Sequence, residues 1–152
     1  MFLKAGLTEE MSRLCRRDMD LPEITHCRTV TMLTFGERPL FAAQFGAAAH
    51  AAAGQSVSGD ALDQFCDTSG RAQMLLCDGM GTGKPAAVDG QMAAKLTAQL
   101  LRAGFAAESA ARLVNVALGL KGAEQEAGAT LDLLTVDLYT GRAGLFKACL
   151  LY

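Results

Sequence analysis

Two stretches of the chain carry side chains whose type and spacing could do chemistry: Val57-Ser58-Gly59-Asp60 and Cys77-Asp78-Gly79-Met80-Gly81-Thr82-Gly83. Each sets an aspartate next to a glycine at the edge of a segment that reads as a β-strand. In an antiparallel hairpin the start of one strand lies beside the end of the other, so Asp60 and Asp78 are expected to meet at one rim. Two carboxylates placed there repel unless a positive charge lies between them. A hard divalent cation, bound through oxygen, relieves that repulsion. Gly79 has no side chain to shield its carbonyl oxygen, which can join the coordination shell, and the glycines after it let the backbone approach a bound phosphate. The arrangement points to metal-assisted hydrolysis. An aspartate–glycine pair alone is a common turn signal. The weight rests on two of them sharing one predicted hairpin, followed by a glycine-rich entry into a helix.

Other motifs carry less. Gly79 to Lys84 (GMGTGK) has the look of a nucleotide-binding P-loop, but Asp78 stands where the first glycine is needed and Pro85 where a serine or threonine is needed. An aspartate at that point repels phosphates. His26 and His50 have no partner at ligand spacing and read as connector residues. Met74, Met80 and Met92 read as packing. Asp132 and Asp137 alternate with apolar residues and read as a solvated strand face. The cysteines, Cys15, Cys27, Cys66, Cys77 and Cys149, are odd in number and lack Cys-x-x-Cys spacing. They are expected to be reduced, those in strands acting as small apolar residues, in a cytoplasmic protein.

The elements that must position the two aspartates follow from local pattern. A short helix is expected from Thr8, as N-cap, to Arg17, with Pro22 closing the region. Thr29–Phe35 reads as a strand, 36–39 as a turn and Leu40–Gly46 as a returning strand, followed by an alanine-rich connector. Ala61–Asp67 and Arg71–Cys77 flank Thr68-Ser69-Gly70 and form the hairpin that matters, with Gly70 in the positive-φ position. Pro85–Ala103 reads as a helix entered at Gly83, with Met92, Leu96 and Leu100 on its apolar face and Gly104 ending it. Glu108–Leu120 reads as a second helix with Leu113, Val116, Ala117 and Leu120 on one face, and Val114 and Leu118 extending the apolar surface. Thr130–Tyr139 and Ala143–Leu150 read as strands joined at Thr140-Gly141. Residues 1–28 thus form a helix and connector, 29–78 strands, 83–121 a helical hairpin and 129–150 strands, in a single domain. The order predicts an α+β fold of largely antiparallel sheets.

The SGD of 57–60 and the LLCDGMGTG of 75–83, in that order, resemble the first two metal motifs of the PP2C-type (PPM) phosphatases of the stage II sporulation protein E kind. The likeness runs on through the helix pair and into TLDLLTVDL at 130–138. It implies an αββα sandwich that binds two Mn²⁺ or Mg²⁺ ions. In it Asp78 bridges the ions, Asp60 ligates one of them, and the Gly79 carbonyl reaches that same ion. It further implies a serine/threonine phosphatase whose metal-activated water attacks a phosphoserine of a regulatory protein such as an anti-sigma-factor antagonist. The two helices after DGMG would act as a regulatory switch. Two further aspartate motifs of that family, a second DG and a later DD-x-T-like segment, have no counterpart after residue 83. The chain is therefore expected to stop inside the family's domain.

Composition bounds the alternatives. Apolar residues make up 51% of the chain and charged residues 20%, an ordinary globular mix. A net charge of −2 gives no basic footprint for nucleic acid. No run approaches the ~20 apolar residues of a membrane span, and no signal-peptide core follows Met1. A membrane segment in a longer parent protein stays compatible with these observations. The alternative to a phosphatase is an inactive phosphatase-fold module that acts through protein–protein contact, homodimerisation included, by its sheet edges and its apolar second helix.

Overall fold

The computed structural model describes residues 2–121 and 128–151. The chain divides into two compact units, one through Leu40 and one from Phe41 onward.

The first unit holds helix α1 (Phe2–Cys15) and a hairpin of β1 (Glu23–Cys27) and β2 (Val30–Thr34), paired antiparallel from Glu23↔Thr34 to Cys27↔Val30. Helix α1 starts six residues before the expected cap, so Thr8 lies inside it. Its close at Cys15, with Arg16 at φ 53°, comes before the expected Arg17. The leading Phe-Leu-Lys-Ala run is helix-forming, and local propensity there outweighs the cap signal at Thr8. The partner of β2 is also corrected. Leu40–Gly46 forms no strand, and β2 pairs instead with β1, a segment read as connector because its polar residues hide the alternation.

The second unit is built on a four-stranded antiparallel sheet in the order β3-β4-β5-β6, comprising Asp60–Cys66, Arg71–Asp78, Gly128–Asp137 and Ala143–Leu151. Helices α2 (Gly83–Arg102) and α3 (Ala107–Lys121) lie on one face of it. Helix α2 packs on β3, β4 and β5, and α3 on β5 and β6. The core between the layers joins Leu75, Leu131 and Leu133 of the sheet to Ala94, Val114 and Leu118 of the helices. This is the expected α+β class with its helical hairpin, present here as one helix layer on one sheet. The opposite face of the sheet leaves Leu62, Met74, Leu76, Leu134 and Leu145 exposed, the last to 65%.

Both helices turn a different face inward from the one their large residues suggested. In α2 the buried stripe is small: Ala86, Gly90, Ala93, Ala94 and Ala98, with Met92, Leu96 and Leu100 only half-buried on its flank. In α3 Val114 and Leu118 are buried, whereas Leu113, Val116 and Leu120 are exposed. Small residues let α2 approach the sheet closely, so size complementarity overrides side-chain hydrophobicity. Of the five cysteines only Cys77 is buried. Burial, with the Asp132 charge adding to it, pushes the Cys77 thiol up to about 12. Asp137 is the last residue of β5, and its side chain also caps the turn that follows. Its Oδ1 accepts the Tyr139 and Thr140 amides at 2.9 and 2.8 Å. The Thr140 bonds lead in holding its carboxyl below the usual range.

Candidate functional site

The rim is set by the turn at the other end of the β3–β4 hairpin. Asp67 opens that turn, and its side chain is only 5% exposed. The carboxylate accepts the Ser69 amide at 2.9 Å, the Arg71 amide at 3.1 Å, Arg71 Nε at 2.9 Å and Gln73 Nε2 at 2.7 Å. Burial alone would raise its pKa. The hydrogen bonds from Arg71, Gln73 and Ser69, together with the Arg71 charge, outweigh burial and lower it. Gly70 turns the chain at φ 73°, a conformation that costs a glycine little. With the turn fixed, the register runs from Cys66↔Ala72 to Asp60↔Asp78, and the two aspartates are directly opposite. A slip of one residue would send one of them to the helix-covered face.

The loops that carry these aspartates touch through backbone. The Gly79 amide donates to the Gly59 carbonyl at 3.1 Å, and the Met80 amide to the Gly128 carbonyl at 2.9 Å. A methyl group on Gly59 would lie 3.2 Å from the Gly79 carbonyl oxygen and 3.5 Å from Asp78 Oδ1. Those two oxygens therefore border the same space beside the residue that precedes Asp60. Ser58 Oγ donates to Asp60 Oδ2 at 3.1 Å and accepts the Asp60 amide at 3.2 Å. The Asp78 amide donates to Thr130 Oγ1 at 3.3 Å. The structure thus brings Asp60, Asp78 and Gly79 together.

Among the described residues neither Asp60 nor Asp78 makes an ion pair. Two other carboxylates of the same sheet are paired, Asp63 with Arg102 at 3.1 Å and Asp132 with Lys147 at 3.2 Å. Two unneutralised carboxylates in direct cross-strand register are an unfavourable pair. A divalent cation with a preference for oxygen fits that donor set. The set is small: no group of three or more His, Cys, Asp or Glu that could hold a metal forms among the described residues. Asp132 lies on the same face, opposite Leu76, but its carboxylate is held by Lys147.

Sequence reasoning missed the residues that seat these loops. A methyl group on Gly79 would lie 1.9 Å from the Ala86 carbonyl oxygen, and one on Gly90 would lie 2.2 Å from the Gly59 carbonyl oxygen. No such contact is sterically allowed, so α2 rests on both loops, backbone against backbone. The available signal was a lone glycine inside a helical pattern, which marks close approach when it is not a cap.

No family model matches the chain. Over 115 residues, 76% of its length, it is 29% identical to stage II sporulation protein E of Priestia megaterium, of which it spans 20%. It also superposes, over 95% of its length, on a solved structure of the PP2C phosphatase domain and a fragment of the regulatory domain of the cell fate determinant SpoIIE from Bacillus subtilis. The TM-score is 0.66 at 20% identity, over 48% of that chain. The chain has a SpoIIE-like, PP2C-type phosphatase-domain fold. It spans about a fifth of the curated relative and about half of the solved chain. Within this PP2C-type fold the acidic rim sits where β3 begins and β4 ends, at the edge of the sheet that α2 covers.

Proposed function

We propose that the chain carries part of the active centre of a metal-dependent protein serine/threonine phosphatase. Asp60 and Asp78 hold Mn²⁺ or Mg²⁺, with the Gly79 carbonyl as a third oxygen donor. The observation that supports this most directly is the Asp60↔Asp78 register pair, which lacks a cationic partner among the described residues. Bound divalent ions supply charge neutralisation for a phosphate ester and a water of lowered pKa. The chain's own part is to aim the donors. Ser58 orients the Asp60 carboxylate, Thr130 anchors the Asp78 backbone, and the Gly59–Gly79 hydrogen bond keeps the two loops in step. The substrate we assign, from the resemblance of the SGD and DGMG motifs, is a phosphoserine of a regulatory protein such as an anti-sigma-factor antagonist. Five free cysteines suit a reducing, cytoplasmic setting, and no described helix is long and apolar enough to cross a membrane.

The test is Mn²⁺-dependent hydrolysis of a generic phosphate ester by the chain and by Asp78→Asn. Activity that disappears in the variant supports the assignment. Activity that survives it places the chemistry elsewhere.

A second reading has its own observation. The apolar face opposite the helices suits a phosphatase-fold module that works by association, with a second copy as the simplest partner. Sedimentation of the purified chain decides this. A monomer at all concentrations removes the homodimer.

A further inference from the structure

Asp89 is the one charged residue among those buried in the described structure. Its side chain is 4% exposed, and it is held by an ion pair to Lys121 Nζ. Nothing in the metal chemistry proposed above uses it. Its place in the fold is informative. Asp89 lies in the first half of α2, next to Gly90, and Lys121 is the last residue of α3. Gly90 is the point at which α2 meets both acidic loops: a methyl group there would lie 2.2 Å from the Gly59 carbonyl oxygen and 3.2 Å from the Gly79 amide nitrogen. Helix α3 is itself seated on β5 and β6 through Val114 and Leu118.

A buried carboxylate without its partner is strongly unfavourable, so α2 is confined to the rotation and height at which Lys121 reaches Asp89. Successive helical residues point about 100° apart, so a rotation that frees Asp89 also swings Gly90 away from the loops. We infer that the Asp89–Lys121 pair is a positioning device for the acidic rim: by fixing α2 it holds Gly90 against Gly59 and Gly79, and thereby sets the spacing of Asp60, Asp78 and the Gly79 carbonyl. Its consequence for metal binding rests on the proposed role of Asp60 and Asp78; its consequence for the loops does not.

The experiment compares Lys121→Met and Lys121→Arg with the unaltered chain in two measurements. The first is amide hydrogen exchange without metal, reading Gly79, which donates to Gly59, against Leu75 in the middle of β4. Lys121→Met is expected to speed Gly79 exchange roughly tenfold with Leu75 within about twofold, and Lys121→Arg to leave both unchanged. Gly79 and Leu75 moving together, or Gly79 not moving, overturns the inference by reducing the pair to general stabilisation. The second is calorimetric Mn²⁺ titration, in which Lys121→Met should weaken binding by roughly 10- to 100-fold, the range for residues that orient ligands. Unchanged affinity also overturns it. If the unaltered chain binds no Mn²⁺ while Gly79 exchange responds to Lys121→Met, the metal assignment falls and the positioning role stands. Should Lys121→Met not fold, Asp89→Asn removes the charge at nearly constant shape and carries the same comparison.

Discussion

The chain contains two antiparallel hairpins of similar design in different surroundings. In β1–β2 every residue is exposed, and among the described residues of that unit only Thr8 and Pro22 are buried. In β3–β4 one face lies under α2, with Leu75 and Cys77 wholly buried, and the end of the hairpin carries the acidic rim. A two-stranded ribbon is marginal by itself; a third strand or a helix makes it stable. The difference shows what the core is for at this site. Two like charges can be held in direct register only by a scaffold whose stability comes from elsewhere.

The largest expected effect tests that difference directly. Leu75→Ala in β4 removes a fully buried side chain and should cost about 3 kcal/mol or more. Leu33→Ala in β2, where the side chain is 39% exposed, should cost less than about 1 kcal/mol. Urea unfolding followed by circular dichroism gives both values, and equal costs would erase the contrast between the hairpins.

Next in size is the turn that sets the register. Asp67→Ala strips the partners from the Ser69 and Arg71 amides and should cost roughly 2–3 kcal/mol. The pH dependence has a definite sign. The Asp67 carboxyl titrates lower in the folded chain than in the unfolded chain, so its stabilisation is complete above the unfolded value near pH 4. It is lost as pH falls through the folded value. Asp137 contributes in the same direction. An acid unfolding curve that is the same for the chain and for Asp67→Asn would remove Asp67 from this role.

What could be read in advance follows the same division. The β3–β4 hairpin was legible because Thr68-Ser69-Gly70 marks the turn and the turn fixes the count out to Asp60 and Asp78. The helical hairpin was legible from its glycine and proline punctuation. The buried faces were not. Ala86, Ala93 and Ala98 give no strong apolar signal, and Leu113, Val116 and Leu120 give one on the wrong side of α3. Hydrophobicity ranks side chains by size, whereas α2 is chosen for closeness. The seating of Gly90 on Gly59 and Gly79, and the Asp89–Lys121 pair, depend on residues far apart in sequence that only the tertiary structure joins. In the other hairpin β1 went unread because Glu23-Ile24-Thr25-His26-Cys27 is exposed throughout and need not alternate.

A smaller effect asks whether the rim is a liability that the core carries. Like charges directly opposite on neighbouring strands destabilise the pair, so Asp78→Asn should stabilise the metal-free chain by roughly 0.5 kcal/mol. Mn²⁺ should reverse the order, raising the melting temperature of the unaltered chain more than that of the variant. A destabilising Asp78→Asn without metal would mean that the carboxylate has a structural partner and that the rim is not held open for a cation.

The smallest effect belongs to the first unit, where exposed ion pairs stand in for a core. Arg17 pairs with Glu37, and Arg38 Nε with Asp20 at 3.0 Å, on either side of the Met19↔Glu37 bridge. Solvent screens such pairs, and ordering two long side chains offsets most of the attraction. Asp20→Asn should therefore change the local opening free energy near β1 and β2 by less than about 0.5 kcal/mol, as read from amide exchange. The change should shrink further at high salt. A loss of 2 kcal/mol or more would show these pairs acting as a network. Charge would then do for β1–β2 what Leu75 and Cys77 do for β3–β4, and the contrast between the hairpins would be one of means and not of stability.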